Sequence, residues 1–274
     1  MNRAYWILLA LSIAAAPTVP ACSKNKPAEK SATGDSQTAT DADSKHCATT
    51  AKEAVIGAKD GIHLIGRFYA AGAPNRPGIV LQHMIPPKND RSNFSPEFIR
   101  KLVEQKYNVL NLDRRGAGES EGQAKDAYHG PLGAQDVQSA VGFLANQKRC
   151  PVDTSRMAFV GASNGTTSIW DYAVAANQKR REPKIINPKA LVYLSGGTYT
   201  ENQVKLSEGG AARDIPTLFL YPEREKEWNL VQKANAPNNW AFSGFAASAH
   251  GSRLLTAEPT APTKIIEFLA AKLK

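Results

Sequence analysis

The chain reads as an α/β protein: a mostly parallel central sheet with helices on both faces and no large cap domain. Three observations lead there. Short apolar runs suited to buried strands alternate along the chain with stretches of helical periodicity. Several of those runs are continuously apolar, as strands covered on both sides must be. Strand and helix signals also take turns instead of segregating, the order in which crossover helices join parallel strands.

The first part of the 274 residues is not read as fold. Arg3 supplies a positive start, and Ala4 to Ala16 is an apolar run too short to span a bilayer comfortably. Val19-Pro20-Ala21-Cys22 follows and resembles a bacterial lipobox, in which the cysteine is lipidated and becomes the first residue; Pro20 is unusual there. A plain secretory signal cleaved near Ala21 is the competing reading. Ser23 after the cysteine agrees with outer-membrane sorting. Residues 1–22 are thus expected to be a lipoprotein signal peptide. Residues 23–50, rich in Lys, Ser, Thr, Asp and Ala, bury too little apolar surface to offset their ordering entropy. They read as a tether with a reach of roughly 30 Å. Residues 51–274 remain for one sizeable α/β domain.

Composition narrows the function classes. Net charge is +9, from 34 Lys and Arg against 25 Asp and Glu. The bases are scattered (Arg100, Lys101, Lys106, Lys148, Arg149, Lys179 to Arg181, Lys264) and not gathered with aromatics on one element, so no nucleic-acid partner is expected. With Cys22 lipidated, Cys47 and Cys150 are left as a pair in an oxidising compartment, where a disulfide is expected. No CxxC or His-rich cluster points to a metal.

The elements follow in order. Glu53 to Gly57 and Ile62 to Ala70 flank Lys59-Asp60-Gly61, a hairpin signal. Gly78 to His83 is a continuously apolar strand. Ser95 is placed to cap a helix with Pro96 at its first position, and Phe98, Ile99, Leu102 and Val103 line one face. Asn108 to Leu112 is the next strand, and Val137, Ala140, Val141 and Leu144 give the following helix its buried stripe. Met157 to Val160 reads as a buried strand leading into a helix after Gly165. Ala190 to Leu194 and Thr217 to Tyr221 are further strands, Trp240 to Phe245 a more polar edge strand. Ile265, Ile266, Leu269 and Leu273 mark a closing helix.

The chemistry centres on Gly161-Ala162-Ser163-Asn164-Gly165 between strand and helix. Glycines two before and two after a serine allow backbone to approach closely in a tight strand-to-helix turn, which exposes the serine Oγ at the strand end. The Asn164 amide then points where an oxyanion can develop. A serine hydroxyl needs a base and a group that orients the base. Of five histidines, His250 follows Ser163 and lies just past the last strand, at the carboxyl end of the sheet where ligands bind in open α/β folds. His46 falls in the tether, His63 in the hairpin and His129 in a Gly-Pro loop. The acid is expected after a strand between the two. Glu225 is the first choice among Glu223, Glu225 and Glu227, and Glu223 the second.

From about residue 53 onward the chain resembles the α/β-hydrolase family, and within it the dienelactone-hydrolase-like serine esterases. The likeness is carried by Leu81-Gln82-His83-Met84, Asp113-Arg114-Arg115-Gly116-Ala117-Gly118-Glu119-Ser120, the Ser163 turn, Leu218 to Glu225, and His250-Gly251. It implies a Ser163–His250–Glu225 triad, with the acid four residues beyond the last strand residue. It also implies oxyanion amides on Met84 and Asn164, a structural role for His83 and for the Asp113 to Gly116 turn, and no cofactor or metal. Three departures stand out: Met84 where the family has glycine, glutamate for aspartate, and serine where dienelactone hydrolases proper use cysteine. The expected activity is hydrolysis of small or medium carboxylic esters through an acyl-enzyme, at an open site. Trp170 and Tyr172 are expected in the core and Tyr199 on the rim. An inactive surface-tethered binding protein on this scaffold, and an acyltransferase or peptidase with the same triad, are the alternatives. The expected partners are an ester substrate and, through lipid at Cys22, a membrane of the cell envelope facing the periplasm or surface; a monomer is expected.

Overall fold

The computed structural model describes residues 47–178, 185–197 and 203–274. The leader, Cys22, most of the tether and Tyr199 lie outside the described residues. Eight strands form one sheet: β1 (Lys52–Gly57), β2 (His63–Tyr69), β3 (Arg76–Gln82), β4 (Asn108–Leu112), β5 (Val152–Ala162), β6 (Ala190–Leu194), β7 (Thr217–Pro222) and β8 (Trp240–Phe245). Their spatial order is β1-β2-β4-β3-β5-β6-β7-β8. β1 and β2 pair antiparallel across the Asp60-Gly61 turn, and β2 joins β4 antiparallel. Every other neighbour pair is parallel. The sheet and its helices form the mostly parallel α/β architecture that the sequence predicts.

Alternation along the strands sorts side chains to the two faces. Met157 and Phe159 of β5 pack on one side with Leu191 and Tyr193 of β6. Ala158 and Val160 pack on the other with Val192 and Leu194. The first face is covered by α2 (Gly130–Ala145), which buries Val137, Ala140, Val141 and Leu144, and by α3 (Asn164–Gln178). The second face is covered by α1 (Pro96–Glu104) and α5 (Thr260–Lys272). Helix α1 starts as its residues dictate: the Ser95 hydroxyl accepts from the Phe98 N–H at 3.2 Å, and Pro96 fills the first turn, where its missing N–H costs nothing. Helix α4 (Lys226–Ala234) buries only Asn229 and leaves Trp228, Leu230 and Val231 partly exposed. Trp170 and Tyr172 are core residues, Trp170 edge-on to Trp240 at 6.0 Å.

Three features differ from the sequence reading. The folded part starts by Cys47, not at residue 51: Cys47 is fully buried and disulfide-bonded to Cys150, and that bond draws the end of the tether into the core. The apolar run at Met157 is the buried half of a longer strand that begins at Val152 and whose first five residues are only partly buried or exposed. His129 sits directly before α2 at its N-cap position, and Gly130 and Pro131 open the helix instead of forming a loop.

Candidate active site

The parallel strands end side by side, each locked to the next. The Ser163 N–H donates to Leu194 O of β6, and the Ser195 N–H to Leu220 O of β7, both at 2.8 Å. This ladder sets the loops after β5, β7 and β8 along one edge, and those loops carry Ser163, Glu225 and His250.

Ser163 joins β5 to α3 in the left-handed region at φ +49°. A non-glycine residue pays for that conformation in strain, of the kind that concentrates at functional sites. The turn closes through Thr166, whose N–H and hydroxyl both donate to Ser163 O, at 2.9 and 2.7 Å. Both flanking glycines are required by space. A Cβ on Gly161 would lie 2.8 Å from Thr166 N, and one on Gly165 would lie 2.3 Å from Gln82 O and 2.5 Å from His83 O.

His250 Nε2 stands 2.7 Å from Ser163 Oγ, and His250 Nδ1 stands 2.6 Å from Glu225 Oε1. An ionised carboxylate can only accept, so Nδ1 carries the proton and donates it to Glu225, leaving Nε2 to accept from the serine hydroxyl. Burial pushes the Glu225 carboxyl up, but hydrogen bonds from His250 and Ser195 and the nearby charge of Arg224 outweigh it. The carboxyl is held below the ordinary glutamate range. Glu223 is elsewhere: exposed, with its carboxylate on Lys226 Nζ at 2.8 Å. Chain geometry separates them. β7 runs on to Pro222, and the 3-10 turn Glu223–Glu225 then leaves Glu223 at the surface on Lys226 and turns Glu225 toward His250.

The opposite wall is built from the end of β3 and the start of α3. The first N–H groups of a helix have no intrahelical acceptor, and Asn164 opens α3. His83 is fully buried, and burial together with the Arg114 charge lowers its pKa to about 3, so its ring is neutral. It donates from Nδ1 to Met84 O at 2.7 Å and accepts the Arg114 N–H on Nε2 at 2.9 Å. The imidazole thereby fixes the Met84 peptide without a free proton to move. The Met84 thioether fills the space over Gly251: a Cβ there would lie 2.5 Å from Met84 Sδ and 3.6 Å from Ser163 Cβ.

Two participants were missed in the sequence. Arg114 is completely buried beneath this wall. Its Nη1 donates to Asn164 Oδ1 at 2.8 Å and to His83 O at 3.3 Å, and its Nη2 donates to Ser168 Oγ at 2.9 Å. One planar fork therefore ties β3's end to α3's first residue. Ser195, directly after β6, is the second. A strand end followed by Ser-Gly-Gly was the available signal. No sequence signal marked Arg114 apart from Arg115, which instead pairs with Asp136 and Asp60 at 2.8 and 2.7 Å.

Between Gly196 and Asp214 the described residues contribute only short 3-10 turns, Leu206–Glu208 and Gly210–Asp214. A surface cavity of about 410 Å³ lies beyond the end of β4, bordered by Arg67, Tyr69, Asn111 and Glu119. None of the three side chains above lines it, and its Arg91 is paired with Asp113 and Glu119. Among the described residues no group of three His, Cys, Asp or Glu side chains is placed to hold a metal ion.

No protein-family profile matches the chain, and no curated protein matches its sequence. Solved structures match in fold. An esterase from Pyrococcus furiosus superposes with a TM-score of 0.60 at 17% identity, over 87% of this chain and 98% of its own. An α/β hydrolase from a Penicillium species gives 0.63 at 13% identity, over 82% of this chain and 99% of that one. A dienelactone-hydrolase-like promiscuous phosphotriesterase from metagenomic libraries gives 0.56 at 19% identity, with 82% and 99% covered. At such identities the likeness is one of fold.

Proposed function

We propose that the protein is a serine hydrolase that cleaves carboxylic esters of small or medium acyl compounds through an acyl-enzyme. The observation that carries this reading is the relay Glu225–His250–Ser163, two hydrogen bonds of 2.6 and 2.7 Å linking groups from three separate strand ends. His250 Nε2 takes the Ser163 proton as Oγ attacks the ester carbonyl, and Glu225 stabilises the imidazolium that forms. The tetrahedral oxyanion is held by the Met84 and Asn164 amides. Imidazolium then protonates the leaving alcohol. Water, deprotonated by the same nitrogen, releases the acid and restores Ser163. The Met84 thioether, seated against Gly251 beside the base, favours short acyl chains.

The same proposal extends to location. The leader and Cys22 fit a lipidated cell-envelope protein, and the Cys47–Cys150 disulfide fits an exported chain.

The test is hydrolysis of short-chain aryl esters by the protein and its variants. Ser163→Ala should fall to background and Glu225→Gln should lose on the order of 10³–10⁴ in kcat, while Glu223→Gln stays within about twofold. Background activity in the unaltered protein over a broad ester panel would refute the reading and leave an inactive binding protein on a hydrolase scaffold.

A further inference from the structure

Ser195 is a second non-glycine residue held in the left-handed region at a strand end, at φ +55°. It is fully buried, and its surroundings leave it little room to relax. Its N–H is engaged by Leu220 O, and a Cβ on the following Gly196 would lie 2.5 Å from the Tyr193 ring. In this conformation the hydroxyl lies between two loops. It accepts the Gly251 N–H at 2.9 Å, and it stands near enough to the Glu225 carboxylate to help hold that carboxyl below its ordinary range. The roles are forced: a hydroxyl has one proton to give, a carboxylate can only accept, and a backbone N–H can only donate.

Gly251 is the residue after His250, and Glu225 is the carboxylate on His250 Nδ1. We propose that Ser195 is a positioning residue that couples the acid loop after β7 to the base loop after β8, so that Glu225 and His250 meet Ser163 as one unit. Glutamate gives the acid one more rotatable bond than aspartate, and a second fixed donor removes the freedom that bond adds. Gly251, at φ +62° under the Met84 thioether, is the other anchor. The kinetic consequence rests on the hydrolase reading; the coupling of the two loops does not.

Two variants separate the hydroxyl from the backbone it rides on. Ser195→Ala removes the hydroxyl and keeps the demand for a left-handed residue, whereas Ser195→Gly removes it and eases that demand. Ester kinetics should show kcat down on the order of tenfold in both, about 1.4 kcal/mol, with KM within about twofold because no substrate contact is lost. Combining Ser195→Gly with Glu225→Gln should give no further loss beyond Glu225→Gln, since the hydroxyl acts through that carboxylate. The His250 Nδ1 proton, hydrogen-bonded to Glu225, should change its NMR resonance in Ser195→Gly. Wild-type kcat and an unmoved Nδ1 proton resonance in Ser195→Gly would overturn the proposal. If the unaltered protein cleaves no ester, the hydrolase reading fails alone, and the resonance still decides the coupling: a moved resonance supports it and an unmoved one refutes it.

Discussion

Gly165→Ala puts the geometry of the Ser163 turn to a direct trial. The new Cβ would sit 2.3 Å from Gln82 O and 2.5 Å from His83 O, against an ordinary contact beginning at 3.4 Å. The end of β3 and the start of α3 must then part by about 1 Å, and neither is a flexible side chain that can step aside. The His83 carbonyl and the Met84 N–H share one planar peptide, so displacing the oxygen tilts the amide proposed to hold the oxyanion. Loss of one such donor costs on the order of 10²–10³ in kcat. Overpacking costs about 1–3 kcal/mol, and alanine in a helix returns about 0.5–1 kcal/mol, so the net loss of stability should be about 0–2.5 kcal/mol. The assay is steady-state hydrolysis of a short aryl ester beside thermal unfolding. Gly142→Ala in α2 is the control: nothing lies within 4 Å of its Cβ, so activity should hold and stability should rise slightly. A Gly165→Ala enzyme with kcat within about threefold of wild type would refute the argument that this glycine is there for close approach.

Other perturbations probe other parts of the structure. Arg114→Met should lower kcat by about 10- to 100-fold, because the oxyanion wall loses the fork on Asn164 Oδ1 and His83 O. Arg114→Lys should not restore it, since one ammonium cannot span the same acceptors; full rescue by lysine in the same assay would sink the idea. The Cys47–Cys150 bond closes a separation of 103 residues. Chain entropy gives it about 4.7 kcal/mol, so reduction should move the denaturant midpoint markedly downward; an unchanged midpoint would contradict this. Asp171 is buried and, among the described residues, has only the Val204 N–H on Oδ1 at 2.9 Å, and burial raises its pKa to about 7. Its folded pKa exceeds the ordinary 3.8, so the folded state binds the extra proton and stability falls as pH rises from about 4 to 7. Asp171→Asn should therefore be more stable than wild type above pH 7, by a few kcal/mol at most, with the gap closing near pH 4 in urea titrations. A gap that widens toward acid pH would mean the sign is wrong.

Much of this arrangement could be read along the chain because it is local. The Asp60-Gly61 hairpin, the Ser95-Pro96 helix start, and a serine between two glycines at a strand-to-helix join each lie within a few residues, where backbone sterics and periodicity decide the outcome. The order of strand and helix signals likewise sufficed for a mostly parallel sheet covered on both faces. Tertiary structure decided what depends on distance in sequence. Glu223 and Glu225 look alike in an alternating charge run; one faces Lys226 in solvent, and the other meets His250 only because β7 and β8 end side by side. Cys47 looks like tether until the bond to Cys150 draws it inward. Arg114 reads as part of a structural turn and Ser195 has no assigned role, because their partners are 50 and 56 residues away. Local rules place a serine where it can react. Only the packed sheet edge brings it a base, an acid and the groups that hold them, since those contacts join separate strand ends and leave no pattern within any single one.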